Sequence, residues 1–490
     1  MSPEPVRVAK NTTYLTIAYI VQKIFSFLYF ILIARMIGVE DIGKYVFALS
    51  FTAIFGVFID LGLSSVMTRE VSKDWSRARD YLNNIVAVKV LLALLTYLAV
   101  VIAINLTGKD LLVRQLVYVS GIIMVLDSFY LSFYGIFRAA QNLKYEAIGM
   151  VIGQIIILGT GVAVLFMDLS LHFLIGSILA GSLFNFIYSF LLLEFKIKLS
   201  LRPTFNRDVL KLLFKIAAPF AIAGIFARVY GYIDSVLLST LAGDKAVGWY
   251  SAGYKIVFAL QFVPMAFAAA LFPAMSNYFI TDKKQLVKIF EKSMYYLMMI
   301  SLPISFGVFL LAKDFIITVY GIDFLPTVIA LQILIFSLLF NFLSFPLGSL
   351  LNACNKQTQN TINMGITMVI NVVLNIILIP LLADKAYIGS SIAALVGQLT
   401  LFSLGLFYGS KIINYNRKFL INGFLKVLTA CLLMTIVILI LRPGVYFLFL
   451  IPVGALIYFF SLYALRGINK NEIFDLLRSF RSKDSQGETK

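Results

Sequence analysis

Three cations, Lys23, Arg228 and Lys255, interrupt long apolar stretches where an unpaired charge is costly. Inside a membrane such a charge is paired, faces water or serves a ligand. Thr12, Thr16, Tyr19 and Ser26 share a helical face with Lys23, a polar stripe that should line water or protein and not lipid. Arg228 shares its face with Ala217, Ala221, Gly224, Gly231 and Ser235, whose small side chains permit close helix packing and leave room for a ligand.

Asp60, Asp127 and Asp234 lie at different depths of other apolar runs. Two chemistries are therefore open. The cations can be neutralised by these aspartates in intramembrane ion pairs. Alternatively they receive an anionic ligand, and the aspartates are candidate ion-coupling groups or charge partners. Lys89 is a further cation, shallow enough for its ammonium to snorkel to the interface.

Other chemistry lacks its residues. No nucleophile motif, phosphate-binding glycine loop or metal-ligand spacing is present. The single histidine, His172, falls at an outer helix start, reads as interfacial and cannot hold a metal alone. Cys354 and Cys431 lie at or within apolar segments and imply no disulfide framework. Connections are too short for a catalytic domain outside the membrane, so no enzyme, cofactor or metal is expected.

The elements that position the cations are helices. Hydrophobic residues make up 61% of the chain and charged residues 13%, and the apolar residues gather into about fourteen runs of roughly 20 or more, each long enough to cross a bilayer. Continuous apolar runs exclude the alternating pattern of a membrane β-barrel. The expectation is an all-α polytopic membrane protein. No cleavable signal peptide is read in the first run, which is full-length and lacks a small-residue cleavage pattern. The sequon Asn11-Thr12-Thr13 reads as chance.

The net charge of +17 would suit nucleic acid if it were gathered on one face. Instead the basic residues sort by loop. Arg69, Lys73, Arg77, Arg138, Lys144, Lys196, Lys283, Lys284 and Arg417, with Arg7, Lys10 and the C-terminal tail, fall on one side. The opposite loops hold few, among them Lys44, Lys109, Lys245, Lys313, Lys385 and Arg442. That asymmetry reports topology, predicting both termini in the cytoplasm of a cell-membrane protein that meets anionic lipid and no nucleic acid.

GVEDIGKYVFA at Gly38–Ala48 is matched by GDKAVGWYSAG at Gly243–Gly253. The shift that carries Gly38 onto Gly243 also carries Ile42 onto Val247, Gly43 onto Gly248, Tyr45 onto Tyr250 and Lys23 onto Arg228. Two six-helix lobes of like orientation follow, in pseudo-two-fold relation about the membrane normal, with a substrate site between them. The expected organisation is an N-terminal lobe over 1–195, a cytoplasmic connector over 196–209, a C-terminal lobe over 210–410, two extra helices within 411–465 and a basic tail over 466–490. Pro219, Pro264 and Pro380 can kink or break their helices. Gln22, Gln154, Gln261, Asn371, Asn375 and Gln398 are candidate interhelical hydrogen-bond partners.

ARMIGVEDIGKYVFALSF at Ala34–Phe51, DLGLSSVMTREVSK at Asp60–Lys73 and GIFRAAQNLKYEAI at Gly135–Ile148 resemble the polysaccharide (O-antigen-type) flippase branch of the multidrug/oligosaccharidyl-lipid/polysaccharide exporter superfamily. So do IDSVLLSTLAGDKAVGWYSAGYKI at Ile233–Ile256 and NVVLNIILIP at Asn371–Pro380. The resemblance implies two lobes around a cavity that moves a polyprenyl-diphosphate-linked oligosaccharide outward by alternating access. Family members place cavity cations on the diphosphate; Lys23 and Arg228 fit that role, and Lys255 joins them as a candidate. Glycan polymerases or glycosyltransferases are the partners it implies. A multidrug exporter of the same superfamily, driven by sodium or proton exchange, is the alternative, and it would rely on acidic cavity residues. A membrane polymerase or ligase would need a large outer loop, which is absent.

Overall fold

The computed structural model describes residues 4–468, apart from the side chains of residues 4–12, 266, 269 and 270. Arg7, Lys10, the stripe member Thr12, the sequon it shares with Asn11, and the basic tail from residue 469 onward lie outside the description. Among the described residues every regular element is a helix. Each long apolar run satisfies its backbone groups internally, as lipid demands.

The helices are α1 (Glu4–Asp60), α2 (Leu63–Lys73), α3 (Ala78–Leu106), α4 (Leu111–Ala139), α5 (Lys144–Phe166), α6 (Leu171–Leu192), α7 (Arg207–Ala242) and α8 (Asp244–Leu260). There follow α9 (Phe262–Thr281), α10 (Lys283–Val319), α11 (Thr327–Ala353), α12 (Gln357–Leu382), α13 (Ala386–Ser410), α14 (Arg417–Leu441) and α15 (Phe447–Ala464). Helix α1 is two helical stretches joined at Gly38, and the chain from Asp244 to Thr281 is broken at Gln261 into α8 and α9. Among the described residues 11 helical stretches are long and apolar enough to cross a membrane, as an all-α polytopic membrane protein requires.

The break before α9 has a local cause in Pro264. Its ring removes one N–H and crowds the carbonyl of Leu260, the last residue of α8. The two repeated turns also agree in detail. Gly38 has φ 80° and ψ 176°, and Gly243 has φ 87° and ψ 169°. That region is open essentially to glycine alone, so both copies of the repeat spell glycine at the same bend.

The chain forms two compact units. One comprises Met1–Phe262, Val319–Leu334 and Gln357–Leu401. In it α1 packs on α4, α5, α7 and α8, α6 packs on α4 and α5, and α12 lies along α7. One end of it is closed by a buried cluster that includes Met67, Tyr81, Ile85, Phe133, Phe137 and Leu213. The segment read as a polar connector is tied down here. Asn83 Oδ1 of α3 accepts from Arg202 N at 3.0 Å, and Asn84 Oδ1 accepts from Asn206 N at 2.6 Å.

The other unit comprises Val263–Thr318, Ile335–Lys356 and the chain from Phe402 onward. Here α14 packs on α15, Tyr458 of α15 donates to Met299 O of α10 at 2.7 Å, and Arg442 pairs with Asp314 at 2.8 Å.

Candidate functional site

In the first unit a cavity of about 440 Å³ lies among the two halves of α1, α7 and α8, with α5 and α6 contributing one wall. Lys255 lines it, beside Ser26, Phe30, Tyr232, Tyr254 and Phe258, and no carboxylate is among the lining residues. Helix α8 aims Lys255 across to α1, where its ammonium donates to Ser26 Oγ at 3.1 Å and stands 5.3 Å from the Phe30 ring. Lys23, one turn before Ser26, reaches back the other way. Its Nζ lies 3.4 Å above the ring of Phe258 on α8. The two helices thus exchange a lysine and an aromatic ring, and Lys23 is near enough for its charge to act on Lys255.

Arg228 stands on α7 one turn before Tyr232, with its guanidinium 5.9 Å from that ring. Lys255 thus lines the cavity itself, while Lys23 and Arg228 are not among its lining residues and stand behind two of its rings, Phe258 and Tyr232. Aromatic faces attract these cations without consuming their N–H donors, leaving them able to bind an anion. No ion pair joins any of the three to a carboxylate among the described residues.

The three aspartates go to three different places. Asp127 on α4 accepts from Ser182 Oγ at 2.6 Å. Asp60, at the end of α1, is bound by Lys89 and by the hydroxyl of Ser64. This corrects the expectation for Lys89. Its side chain is 0% exposed and does not snorkel, because α3 turns it inward, where its ammonium donates to Ser132 Oγ at 2.6 Å and to Ser128 O at 2.9 Å as well as to Asp60. Depth along a helix did not reveal which face the residue occupied.

Asp234 of α7 is buried against α8 and α12. Tyr250 Oη donates to it at 2.7 Å, and Asn375 Nδ2 does so at 2.7 Å. Asn363, Thr367, Asn371 and Asn375 form a buried stripe along α12. Within it Thr367 Oγ1, Asn371 Oδ1 and Asn375 Oδ1 have no partner among the described residues. Unpartnered buried oxygens beside a carboxylate can accept a proton-bearing group or a small monovalent cation. No group of three His, Cys, Asp or Glu residues could hold a metal among the described residues.

His172 is fixed between helices, its Nε2 2.7 Å from Gln115 Oε1. Gln154 lines the cavity wall. Sequence reasoning missed the aromatic residues of the site. One signal was available: Phe27, Tyr232 and Phe258 follow Lys23, Arg228 and Lys255 by a helical turn. The rings that meet the two lysines come mainly from the facing helix, which sequence spacing does not show.

Comparison with known proteins gives a consistent set of matches. The family model described as polysaccharide biosynthesis protein matches residues 8–279, and the MatE model matches 219–377. The chain is 23% identical over 411 residues to the capsular polysaccharide biosynthesis protein CapF of Staphylococcus aureus, covering 81% of this chain and 98% of that protein. It is 21% identical over 372 residues to the probable low-salt glycan biosynthesis flippase Agl15 of Haloferax volcanii, covering 76% of this chain and 77% of that one. Among solved structures, the lipid II flippase MurJ in an inward closed conformation superposes with a TM-score of 0.74 at 17% identity, over 91% of this chain and 97% of that one. An inward-facing multidrug resistance MATE family transporter follows with a TM-score of 0.66 at 16% identity, over 82% of this chain and 98% of that one. At such identities these structures speak for the fold.

Proposed function

The chain belongs to the polysaccharide biosynthesis protein family, and from that premise we propose that it carries a polyprenyl-diphosphate-linked oligosaccharide from the cytoplasmic to the outer leaflet. One observation supports this reading: an aromatic-walled cavity is lined by Lys255, has Lys23 and Arg228 against its rings Phe258 and Tyr232, and is lined by no carboxylate among the described residues. Removing a diphosphate from water is costly unless its charge is met. Cations already in place offset that cost, and their mutual repulsion is relieved only when an anion arrives. The CapF, Agl15 and MurJ likenesses support a lipid-linked glycan as cargo.

The cycle is alternating access between lobes 1–195 and 210–410, with both termini cytoplasmic. Glycosyltransferases supply the substrate and a glycan polymerase consumes it. Asp234, with its unpartnered oxygen neighbours on α12, is the coupling group, binding a proton or monovalent cation. The competing reading, a drug exporter for cationic compounds, is supported by the MatE match over 219–377. It requires carboxylates on the cavity, whereas none lines it among the described residues.

Proteoliposomes carrying a lipid-linked oligosaccharide in the inner leaflet test the reading. Wild type should expose the glycan to an external lectin, and a variant with Lys23→Gln, Arg228→Gln and Lys255→Gln should not, while keeping its elution profile. Undiminished flipping by the triple variant, or transport of a cationic dye in place of the glycan, would overturn it.

A further inference from the structure

A second cavity, of about 820 Å³, lies in the other unit where α10, α14 and the end of α15 meet. It is lined by Lys292 of α10, Lys426 of α14 and Arg466 just beyond α15, with Tyr295, Phe419 and Tyr463 as aromatic walls. Among the described residues no carboxylate lines it. It is separate from the central site in chain and in composition, and nothing in the flipping reaction uses it.

Its construction is specific. Helix α15 ends at Ala464, and Arg466 adopts a left-handed φ of 52°, which turns the chain back over the cavity. Two carbonyls freed by that turn are taken by side chains of the other helices. Lys426 Nζ donates to Arg466 O at 3.0 Å, and Tyr295 Oη donates to Gly467 O at 2.5 Å. The turn is therefore held open, with the Arg466 side chain exposed on it.

Its depth follows from helix geometry. Lys426 lies nine positions beyond the start of α14, about 13 Å along its axis. The ammonium extends from there toward the end of α15, the direction a lysine takes when it reaches from hydrocarbon to the headgroup layer. Phe419, in the first turn of α14, and Tyr463, in the last turn of α15, are 40% and 43% exposed, as aromatic residues are in an interfacial belt. Three cations walled by aromatic rings near the start of α14 and the end of α15 have the chemistry to hold a phosphate that arrives on a lipid.

We propose that this cavity is a binding site for the headgroup of an anionic phospholipid of the surrounding leaflet, with its phosphate among Lys292, Lys426 and Arg466. The acyl chains then run along the apolar outer surface of α15, where Phe459 and Phe460 are 54% and 73% exposed. The site fits a membrane lipid and stands whatever cargo the central cavity carries.

Native mass spectrometry of the purified full chain, delipidated and titrated with phosphatidylglycerol, phosphatidylcholine or inorganic phosphate, tests it. Phosphatidylglycerol should be retained in preference to phosphatidylcholine, and inorganic phosphate should bind far more weakly. Each of Lys292→Gln, Lys426→Gln and Arg466→Gln should weaken phosphatidylglycerol binding roughly fivefold. Because Lys426 also supports the α15 turn, Arg466→Gln, at an exposed position, is the variant whose thermal unfolding should stay unchanged while lipid preference falls. Equal retention of the two lipids by wild type, unchanged preference in that variant, or inorganic phosphate binding as tightly as the lipid would each overturn the assignment.

Discussion

A Cβ atom added at Gly43 would collide with the backbone carbonyl of Asp244, and one added at Gly248 would collide with the carbonyl of Val39. The repeat that carries Gly43 onto Gly248 also carries Val39 onto Asp244, so the two contacts are the same contact made twice. Reciprocal pairing of this kind is what a two-fold relation between duplicated segments produces. Only glycine allows the backbones to approach so closely, which explains why both copies of the turn keep it at this position. Lys109 adds an ion pair to Asp244 at 2.9 Å, fastening the junction from the loop before α4.

Rocking of the lobes would have to open this junction. Gly43→Ala and Gly248→Ala should each cost about 1–3 kcal/mol through overpacking, read as a lower midpoint of thermal unfolding in detergent. A short cross-link between cysteines placed at Glu40 and Lys245 should stop transport, and spin labels at the same positions should report two distance populations. Transport unaffected by the cross-link, with one unchanging distance, would end the rocking hypothesis.

Gly38 and Gly243 test backbone strain separately, since a Cβ at either meets nothing within 4 Å. Alanine there should nevertheless destabilise by about 1–3 kcal/mol, because the bend lies in a glycine-only region. Unfolding at the wild-type temperature in both variants would show that α1 and the α7–α8 turn relax at no cost.

The Asp60–Lys89 pair is buried at the Lys89 end and should serve stability more than transport. Lys89→Ala should cost about 3–5 kcal/mol, and Asp60→Ala should be harmful because it leaves an ammonium without its counter-charge. Replacing both with apolar residues of similar size should recover much of the loss. The comparison needs only unfolding curves for the two single variants and the double; a double variant as unstable as the worse single one would count against the pairing.

At the central cavity, Lys23→Arg and Arg228→Lys should retain more flipping than Lys23→Ala and Arg228→Ala, though not full activity, since the two cations differ in geometry. Phe258→Leu should weaken the hold on Lys23 while leaving the charge in place. Initial flipping rates across this set, at matched protein levels, would show whether charge or mere bulk matters; rates that follow side-chain volume would contradict the diphosphate role.

Asp234→Asn keeps the shape of its hydrogen-bonded pocket and removes the charge. It should fold normally and lose any dependence of flipping on a sodium or proton gradient. Flipping that responds to the gradient as wild type does would remove Asp234 from the coupling role.

Sidedness is testable with an impermeant thiol reagent, and both native cysteines, Cys354 and Cys431, are buried and should stay silent. Cysteines at the exposed positions Lys313 and Lys385 should be labelled from outside intact cells, and one at Lys283 should not. Lys109 is a poor probe, because its position is largely covered and replacing it removes the ion pair to Asp244.

The sequence by itself determined the helices, their approximate number and the duplicated turn. Each depends on local hydropathy or on a backbone bend that only glycine can make, and neither needs distant partners. Which face a residue presents depends on packing, and there the tertiary structure decided. Lys23 and Arg228 lie at matched positions of the repeat, yet one rests on a ring from a facing helix and the other stands by a ring of its own helix. Lys89, shallow by position, is sealed against Asp60 because α1, α3 and α4 converge there. The connector from Lys196 to Arg207 is polar enough to read as a loose link, but Asn83 and Asn84 hold its backbone. The closeness of Gly43 to Asp244 belongs to the same class, for the repeat announced two equivalent turns and only the folded chain could bring one against the other.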